Sequence, residues 1–296
     1  MKVSDTLLLI LLAAIWGSSF VFMRATADVF GPIALIAIRI SVAALFLLVF
    51  LLQKKRRQEF FNHWKILFLV GSMNSAIPFS FLAYASLHLS GGTVSILNAT
   101  TPVFTALIAH FWLKSIMTKL QFFGLAVSIS GLLFLVWDKV SWSIESWLPL
   151  LAGVAAGVLY GIASTTTKKY LSDVSVMTAT AGSLLFSSIL IMIVSLFFLP
   201  DFNNVQSIDW AYAITLGILC TAIAFIIYFK LVKNIGPART ASVTFLIPIF
   251  AFLWGYILLD EVVTTRMWIA TSIILFGMGF VTQLIKMPLN KPLRNL

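Results

Sequence analysis

Polar side chains stand near the centres of long apolar segments in this chain. The stretch SILNATTPVF combines Asn98 and Thr101 with Pro102, and the later stretch ASVTFLIPIF repeats the proline at Pro248. A proline inside a helix removes one backbone donor and displaces a carbonyl. Irregular backbone at membrane depth is tolerated only where it is buried in protein or lines a water-filled cavity. Both stretches therefore predict either a binding site or a packing kink whose freed groups are satisfied by neighbouring threonines.

Amide, hydroxyl and aromatic side chains at similar depth form a candidate solute-binding set. Amides and hydroxyls can hold an amino and a carboxylate group, while aromatic walls take an apolar side chain or ring. For each residue alone, the alternative is core packing, lipid contact or an interhelical hydrogen bond. The predicted substrate-binding residues are Trp16, Asn74, Asn98, Thr101, Tyr160, Thr244 and Trp254. The predicted hinge or gating residues are Gly91, Pro102, Pro237 and Pro248.

Charged and metal-binding residue types exclude several kinds of site. No aspartate or glutamate lies near the middle of an apolar segment, which disfavours a pump built on a buried carboxylate. Arg39 is the one cation at depth and is expected mainly to tie helices together, with solute contact as the alternative. The histidines are scattered without a carboxylate or cysteine at ligand spacing, so we predict no metal site. We also predict no cofactor, since nothing resembles a phosphate-cradling loop.

Composition shows which elements must position these residues. Hydrophobic residues make up 60% of the 296 residues and charged ones 10%, with a mean hydropathy of +1.04. Such a chain has too few polar residues to cover a soluble core, and a membrane span takes ~20 apolar residues. Ten segments qualify as spans: 6–23, 32–52, 65–87, 91–113, 120–137, 147–167, 175–198, 210–230, 237–259 and 266–285. The predicted fold class is an all-α integral membrane protein with ten transmembrane helices.

The distribution of positive charge predicts the orientation of these helices. With a cytoplasmic N-terminus, sixteen of the 20 lysines and arginines fall on the inner side and three on the outer side. This bias predicts a multi-pass protein of the plasma (inner) membrane with both termini cytoplasmic. The net charge of +10 then reflects topology and contact with membrane lipid. Because the charges are spread over separate loops and ends, we predict no nucleic-acid partner.

The ten spans divide into two sets of five. Shifted by 146 residues, Gly71 meets Gly217 and Pro102 meets Pro248. Because five is odd, a second copy of a five-helix unit must enter the membrane from the opposite side, as in many transporters. The predicted organisation is a first repeat over 1–143, a second, inverted repeat over 144–285 and a cytoplasmic tail over 286–296, with a central cavity between the repeats.

Several motifs occur along the chain in a set order. They are AAIWGSSFVFMR, the pattern Pro32-x-x-Leu35-x-x-x-Arg39, LAYASLHLSGGTVSILNATTPVF, and IYFKLVKNIGPARTASVTFLIPIFAFLWG followed by LLDE. Together they resemble the EamA family of the drug/metabolite transporter superfamily, over essentially the whole chain. The resemblance implies ten helices in two inverted halves around a central cavity, and movement of small metabolites, commonly amino-acid export. One departure is Lys114-Ser115, which stands where the second half carries Asp260-Glu261.

The leading functional hypothesis is a secondary transporter that exports small amino-acid-like metabolites by alternating access. The alternative is a transporter of another small solute, such as a nucleoside, a vitamin or an organic cation. A membrane enzyme is disfavoured, because the loops show no cluster of His, Asp or Glu at catalytic spacing. The expected partners are a small-molecule substrate and membrane lipid, and the chain is either a monomer or a homodimer.

Overall fold

The computed structural model describes residues 2–114, 116–137, 144–235, 240 and 243–285. Within these ranges the chain is helical and contains no strand. Eight helical stretches are long and apolar enough to cross a membrane, and two shorter apolar helices follow them. The chain is therefore a multi-pass membrane protein. The predicted hinge Pro237, the predicted repeat boundary near 143 and the tail 286–296 lie outside the described residues.

The helices are numbered here in chain order. They are α1 (Val3–Phe30), α2 (Pro32–Leu48), α3 (Lys54–Asn62), α4 (Trp64–Gly71), α5 (Ile77–His88), α6 (Gly91–Ala99), α7 (Thr101–Trp112), α8 (Lys119–Val136), α9 (Ile144–Tyr170), α10 (Val176–Ser195), α11 (Ser207–Gly217), α12 (Ala224–Ile235), α13 (Val243–Leu259) and α14 (Thr265–Val281). Two π-helical segments, π1 (Ser72–Ala76) and π2 (Ile218–Ile223), join α4 to α5 and α11 to α12. Hydroxyl side chains cap several helix starts by accepting a backbone N–H hydrogen bond; these residues are Ser90, Thr118, Ser175 and Thr264.

Glycines allow the closest approaches between helices. A Cβ atom built on Gly17 of α1 would lie 2.6 Å from the Cβ of Phe250 on α13. A Cβ on Gly161 of α9 would lie 3.0 Å from the backbone nitrogen of Thr105 on α7. Small residues at such contacts let helix backbones pack closely inside a membrane, where dispersion rather than hydrophobic exclusion holds helices together. These glycines lie at two of the extensive helix contacts of the bundle, α1 against α13 and α9 against α7.

The two matched prolines have different structural effects. Pro102 lies in the first turn of α7, just after a break at Thr100 that separates α6 from α7. The hydroxyl of Thr100 donates to the Leu97 carbonyl at 2.6 Å, and the hydroxyl of Thr101 donates to the Asn98 carbonyl at 2.7 Å. The carbonyls at the break are thus hydrogen-bonded by neighbouring threonines. This is the arrangement expected of a packing kink at this stretch.

Pro248, the matched proline, does not interrupt its helix. It is buried inside the continuous helix α13. The close contact of α13 with Gly17 of α1 supports this segment on one side. Loss of one backbone donor at a proline can be absorbed by such tertiary packing without a break.

A short polar helix anchors the other end of the bundle. Glu59 of α3 accepts hydrogen bonds from the Ser175 backbone nitrogen at 3.2 Å and the Thr178 hydroxyl at 2.7 Å. Partial burial raises the pKa of the Glu59 carboxyl, but these hydrogen bonds and the nearby Lys55 charge outweigh it and leave the pKa below its ordinary value. The carboxylate therefore acts as an anionic cap on the first turn of α10.

We expect the Glu59→Gln variant to lose stability at neutral pH but not at low pH. A carboxyl with a lowered pKa in the folded protein stabilises it above the unfolded-state pKa, and this contribution disappears as pH falls through the folded-state value. The gap in melting temperature between wild type and variant should therefore close below the ordinary carboxyl value of 4.5. Melting curves in detergent from pH 7 to pH 3.5 measure this, with the exposed Asp173→Asn variant as control. A gap that is the same at every pH would contradict the assignment.

Candidate functional site

A buried arginine lies at the centre of the helix bundle. The Nε of Arg39 on α2 donates to the Thr221 hydroxyl of π2 at 3.0 Å, and one terminal nitrogen contacts the Met23 sulfur of α1 at 3.4 Å. The guanidinium carbon lies 4.1 Å from the centre of the Phe79 ring on α5, a cation–π distance. Arg39 is only 4% exposed, so its charge is held by the protein rather than by bulk water. As the sequence predicted, it ties helices together.

The π2 segment and a glycine bring Arg39 to this position. A π-helical turn widens the helix and leaves a carbonyl for other partners. The Thr221 hydroxyl donates to the Leu216 carbonyl five residues earlier, at 2.8 Å, while accepting from Arg39. A Cβ on Gly217 would lie 2.7 Å from the Cβ of Val42 and 2.9 Å from the Arg39 carbonyl. Only glycine at this point lets α2 come close enough for the hydrogen bond to form.

Other polar groups surround the guanidinium, and none of those described is a carboxylate. Tyr160 of α9 and Cys220 of π2 lie within electrostatic range of Arg39. The Tyr160 ring centre is 6.3 Å from that of Phe79, which itself contacts Arg39. We refer to Arg39, Phe79, Tyr160 and Thr221 as the Arg39 layer. Its members come from α2, α5, α9 and π2, so the layer joins both halves of the sequence.

A large cavity opens at the end of the bundle where α1 ends and α2 begins. Its volume is about 1180 Å³. Its lining combines apolar side chains with a few polar ones from α5, α9, the α1–α2 turn and the segment after α10: Asp28, Val29, Phe30, Gly31, Pro32, Ile33, Ser80, Phe81, Tyr84, Leu148, Leu151, Ala152, Ala155, Phe198, Leu199, Pro200, Asp201 and Asn204. Ser80 of this lining is the sequence neighbour of Phe79, a member of the Arg39 layer. A volume of this size suits a small organic solute.

The predicted binding residues are all half-buried but do not line this cavity. Trp16 packs against Phe225 and Tyr228, with ring centres 6.3 Å and 5.7 Å away. The Trp254 indole donates to the Ala14 carbonyl at 3.0 Å, so its polar edge is used to join α13 to α1. Thr244 also has an interaction partner. The lining as described contains none of the seven predicted residues: Trp16, Asn74, Asn98, Thr101, Tyr160, Thr244 and Trp254.

Three of those residues keep polar groups available. The side-chain amides of Asn74 in π1 and Asn98 at the end of α6 have no hydrogen-bond partner in the described part of the chain, and neither has the Tyr160 hydroxyl. Ser75, beside Asn74, carries a buried hydroxyl that is also unpartnered. The structure brings Tyr160 into the Arg39 layer, whereas Trp16 and Trp254 belong to the α1 contacts.

Sequence reasoning missed the role of Phe79 and the cavity lining, and it did not connect Thr221, a polar residue at mid-depth, with Arg39. Phe79 is one of 26 phenylalanines and carries no pattern that separates it from the others. A usable indication did exist in the matched glycines, because Gly71 and Gly217 each end a helix directly before a π segment. A serine or threonine four residues after a matched glycine would have pointed to Ser75 and Thr221.

Charged side chains form hydrogen bonds with the start of α6 and the end of α5. The two carboxylate oxygens of Glu261 accept hydrogen bonds from the backbone nitrogens of Gly91 and Gly92, at 2.9 Å and 3.4 Å. Arg24 of α1 donates to the carbonyls of Ser86 and Leu87, at 3.0 Å and 3.3 Å. The anion lies at the positive end of the α6 dipole and the cation at the negative end of the α5 dipole, so both interactions stabilise the helices.

This arrangement gives Glu261 a structural role in the second half. Gly91, a predicted gating residue, donates its backbone N–H to Glu261. A Cβ atom on Gly91 would lie 3.2 Å from the carbonyl oxygen of Phe20 in α1. A second cavity of about 460 Å³ lies here and is lined in part by Arg24, His88 and Glu261. The equivalent first-half position, 115, holds serine and lies outside the described residues.

Comparison with known proteins gives a consistent result. The model of the EamA-like transporter family matches the chain twice, over residues 5–137 and 147–283. An uncharacterized transporter of Bacillus subtilis, YoaV, is 24% identical over 89% of this chain and 91% of its own. The uncharacterized inner membrane transporter YedA of Escherichia coli K12 is 26% identical over 90% and 87%. These names indicate transporters rather than enzymes.

Two further similarities are informative. A protein of Streptantibioticus cattleyicolor named a probable terminal-alkyne amino-acid exporter is 26% identical over 86% of this chain and 85% of its own. A solved crystal structure covers 96% of this chain and 99% of its own, with a TM-score of 0.65 and 17% identity. At that identity the structural likeness shows a common fold alone.

Proposed function

Because this chain belongs to the EamA-like transporter family, we propose that it is a secondary transporter that exports small amino-acid-like metabolites by alternating access. The observation that carries the proposal is the cavity of about 1180 Å³ that opens at one end of the bundle, where α1 ends and α2 begins. A large cavity open to one side of the bundle is what one state of an alternating-access transporter requires.

An inverted repeat of ten helices is the mechanical part of this proposal. In the proposed organisation, 1–143 and 144–285 each contribute five helices, and 286–296 is a cytoplasmic tail. The two family matches fall within these bounds. Two of the three non-glycine residues with positive φ among those described, Lys114 at 52° and Asp260 at 50°, occupy matched positions. The π1 and π2 segments also follow matched glycines.

Contacts between helices support the same symmetry. A Cβ on Gly71 would meet the Ser183 carbonyl of α10, and a Cβ on Gly217 would meet Val42 of α2. Under the proposed repeat, α2 and α10 are equivalent helices, so each matched glycine packs against the second helix of the other half. The pairing of α9 with α7 likewise corresponds to that of α1 with α13. Two halves that exchange contacts in this way can rock about a shared centre.

The proposed orientation places both termini in the cytoplasm of a cell whose plasma (inner) membrane holds the protein. It rests on the excess of lysine and arginine at one side of the helices. In this orientation the large cavity opens to the outer side. The state described is then the one from which an exported solute would leave.

The proposed solute is small and zwitterionic. The side-chain amides of Asn74 and Asn98 and the Tyr160 hydroxyl are available hydrogen-bonding groups in the interior, and amides and hydroxyls suit amino and carboxylate groups. The name of the Streptantibioticus relative points to the same class. A nucleoside, a vitamin or an organic cation is the alternative. The Trp16, Phe225 and Tyr228 rings could face a cation, but the buried Arg39 charge opposes one.

We expect flux of at least one amino acid when the purified protein in liposomes is tested with a labelled amino-acid panel. The Asn98→Ala variant should lower that flux about 3- to 10-fold, since a hydrogen bond to the solute is lost, while expression is unchanged. Asn62→Ala, at an exposed position of α3, is the matched control. Flux of nucleosides or cations with none of any amino acid would favour the alternative. Equal flux in Asn98→Ala and Asn62→Ala would remove Asn98 from the site.

A further inference from the structure

The Arg39 charge is incompletely compensated in the described structure. Its partners are a hydroxyl (Thr221), a thioether (Met23) and an aromatic ring (Phe79). These groups are neutral, and no described carboxylate forms an ion pair with the guanidinium. A charged side chain at this depth is costly, and buried charges are ordinarily paired. Some ligand that carries negative charge would complete the site.

The guanidinium also has unused hydrogen-bond donors. Nε and one terminal nitrogen have partners, which leaves the other terminal nitrogen without one among the described residues. Arginine presents its N–H groups in a planar fork that matches a carboxylate. The Tyr160 hydroxyl is a further donor within electrostatic range, and it too has no described hydrogen-bond partner. Arg39 and Tyr160 both contact the Phe79 ring, and neither the second terminal nitrogen of Arg39 nor the Tyr160 hydroxyl has a described acceptor.

The repeat builds this arrangement only once. Shifted by 146 residues, Thr221 corresponds to Ser75, and Arg39 corresponds to Leu185. The Ser75 hydroxyl is buried and has no hydrogen-bond partner, whereas Thr221 accepts from Arg39. Packing that merely joined the two halves would be expected at both positions of a duplicated unit. A single cation at the pseudo-symmetric centre is instead suited to one end of one solute.

We propose that the free N–H groups of Arg39 and the hydroxyl of Tyr160 form a subsite for the carboxylate of the transported solute. This subsite rests on the proposed function, because only a transporter would carry the bound solute across the membrane. In this proposal the solute enters from the large cavity, whose lining residue Ser80 is next to Phe79 in the sequence. Because Arg39 belongs to the first half and Tyr160 to the second, a bound carboxylate would bridge the two halves and favour states in which they are close.

The test compares pairs of probes that differ only in the carboxylate. L-phenylalanine and phenylacetate are the acids, and L-phenylalaninamide and phenylacetamide are the matched amides. We expect the acids, but not the amides, to raise the melting temperature of the wild-type protein. Arg39→Gln should weaken acid binding about 10- to 100-fold, as expected for loss of a charge-assisted hydrogen-bonded pair. Arg39→Lys should restore part of it, because the charge returns without the fork.

A milder variant covers the case in which Arg39→Gln does not fold. Tyr160→Phe keeps the ring contact with Phe79 and removes only the hydroxyl, and it should weaken acid binding several-fold without affecting the amides. Tyr256→Phe, at a tyrosine that is 66% exposed, is the matched control. Equal binding of acids and amides, no binding of either, or acid binding unchanged by both variants would overturn the subsite.

The two proposals can fail separately. If acids bind in an Arg39-dependent way but no amino acid crosses the membrane, the subsite holds and the amino-acid transport proposal falls. If amino acids are transported at rates that Arg39→Lys and Tyr160→Phe leave unchanged, the transport proposal holds and the subsite falls.

Discussion

The Gly277→Ala variant should melt roughly 5–10 °C below the wild-type protein, the scale that a loss of about 2–3 kcal/mol gives for a chain of this size. Gly277 of α14 packs against α8 more closely than any side chain allows. A Cβ on Gly277 would meet the Ser128 hydroxyl, lie 2.5 Å from the Gly124 carbonyl oxygen and lie 2.6 Å from the Ser128 nitrogen. Two of these three atoms belong to the backbone, so the helices must separate.

The contact is reciprocal, which increases the expected effect. A Cβ on Gly124 would lie 2.5 Å from the Gly277 carbonyl oxygen, and the Ser128 hydroxyl donates to the Ile274 carbonyl at 3.2 Å. Separation of α8 from α14 would weaken this hydrogen bond and the dispersion contacts along the two helices.

Melting followed by size-exclusion chromatography in detergent measures the change. Gly153→Ala is the control, because the three atoms nearest to its Cβ all belong to the Leu97 side chain and none to a helix backbone. If Gly153→Ala lowered the melting temperature as much as Gly277→Ala, backbone contact at the α8–α14 seam would not be the cause.

The Glu261→Gln variant should lose about 1–2 kcal/mol of stability, since it replaces a charge-assisted cap by a neutral one. Glu261 is half-buried and holds the backbone nitrogens of both Gly91 and Gly92. Without the charge, the start of α6 loses both its hydrogen-bond strength and its dipole partner. Since α6 leads to the break at Thr100, transport should fall together with stability.

Asp260 offers a matched control for this prediction. It is adjacent in sequence and exposed, and it has no hydrogen bond within the described part of the chain. Asp260→Asn removes the same charge, and asparagine tolerates the left-handed backbone at φ 50° well. The melting temperature and the flux of both variants are compared with those of the wild-type protein. An equal effect of Asp260→Asn and Glu261→Gln would mean that net charge at this end, and not the α6 cap, is responsible.

The local sequence pattern was sufficient to predict where helices occur, but not whether a proline breaks its helix. The apolar runs predicted helices at the places where they occur, including α13 and α14, which at 17 residues are shorter than the eight stretches long enough to cross a membrane. Pattern did not distinguish Pro102, which follows a break, from Pro248, which lies inside a continuous helix. The difference depends on neighbours: α1 packs against α13 at Gly17, and threonine hydroxyls satisfy the carbonyls at the α6–α7 break.

Candidate site residues divide in the same way. Their polarity and depth were readable from the sequence, and all seven are half-buried. Which of them face each other was not readable, because it depends on helix rotation. The Trp254 indole is already bonded to the Ala14 carbonyl, whereas the Tyr160 hydroxyl remains available beside Arg39.

By itself, the sequence determined that this protein is helical, lies in a membrane and belongs with transporters of one family. Those properties follow from the abundance of apolar residues and from motif order, which need no knowledge of contacts. Only the tertiary structure decided that Arg39 of α2 reaches Thr221 of π2, that Phe79 and Tyr160 accompany it, and that a cavity opens where α1 ends and α2 begins. These residues are far apart in the chain, so their contacts depend on how the helices are placed and rotated relative to one another. Sequence pattern does not reveal that arrangement.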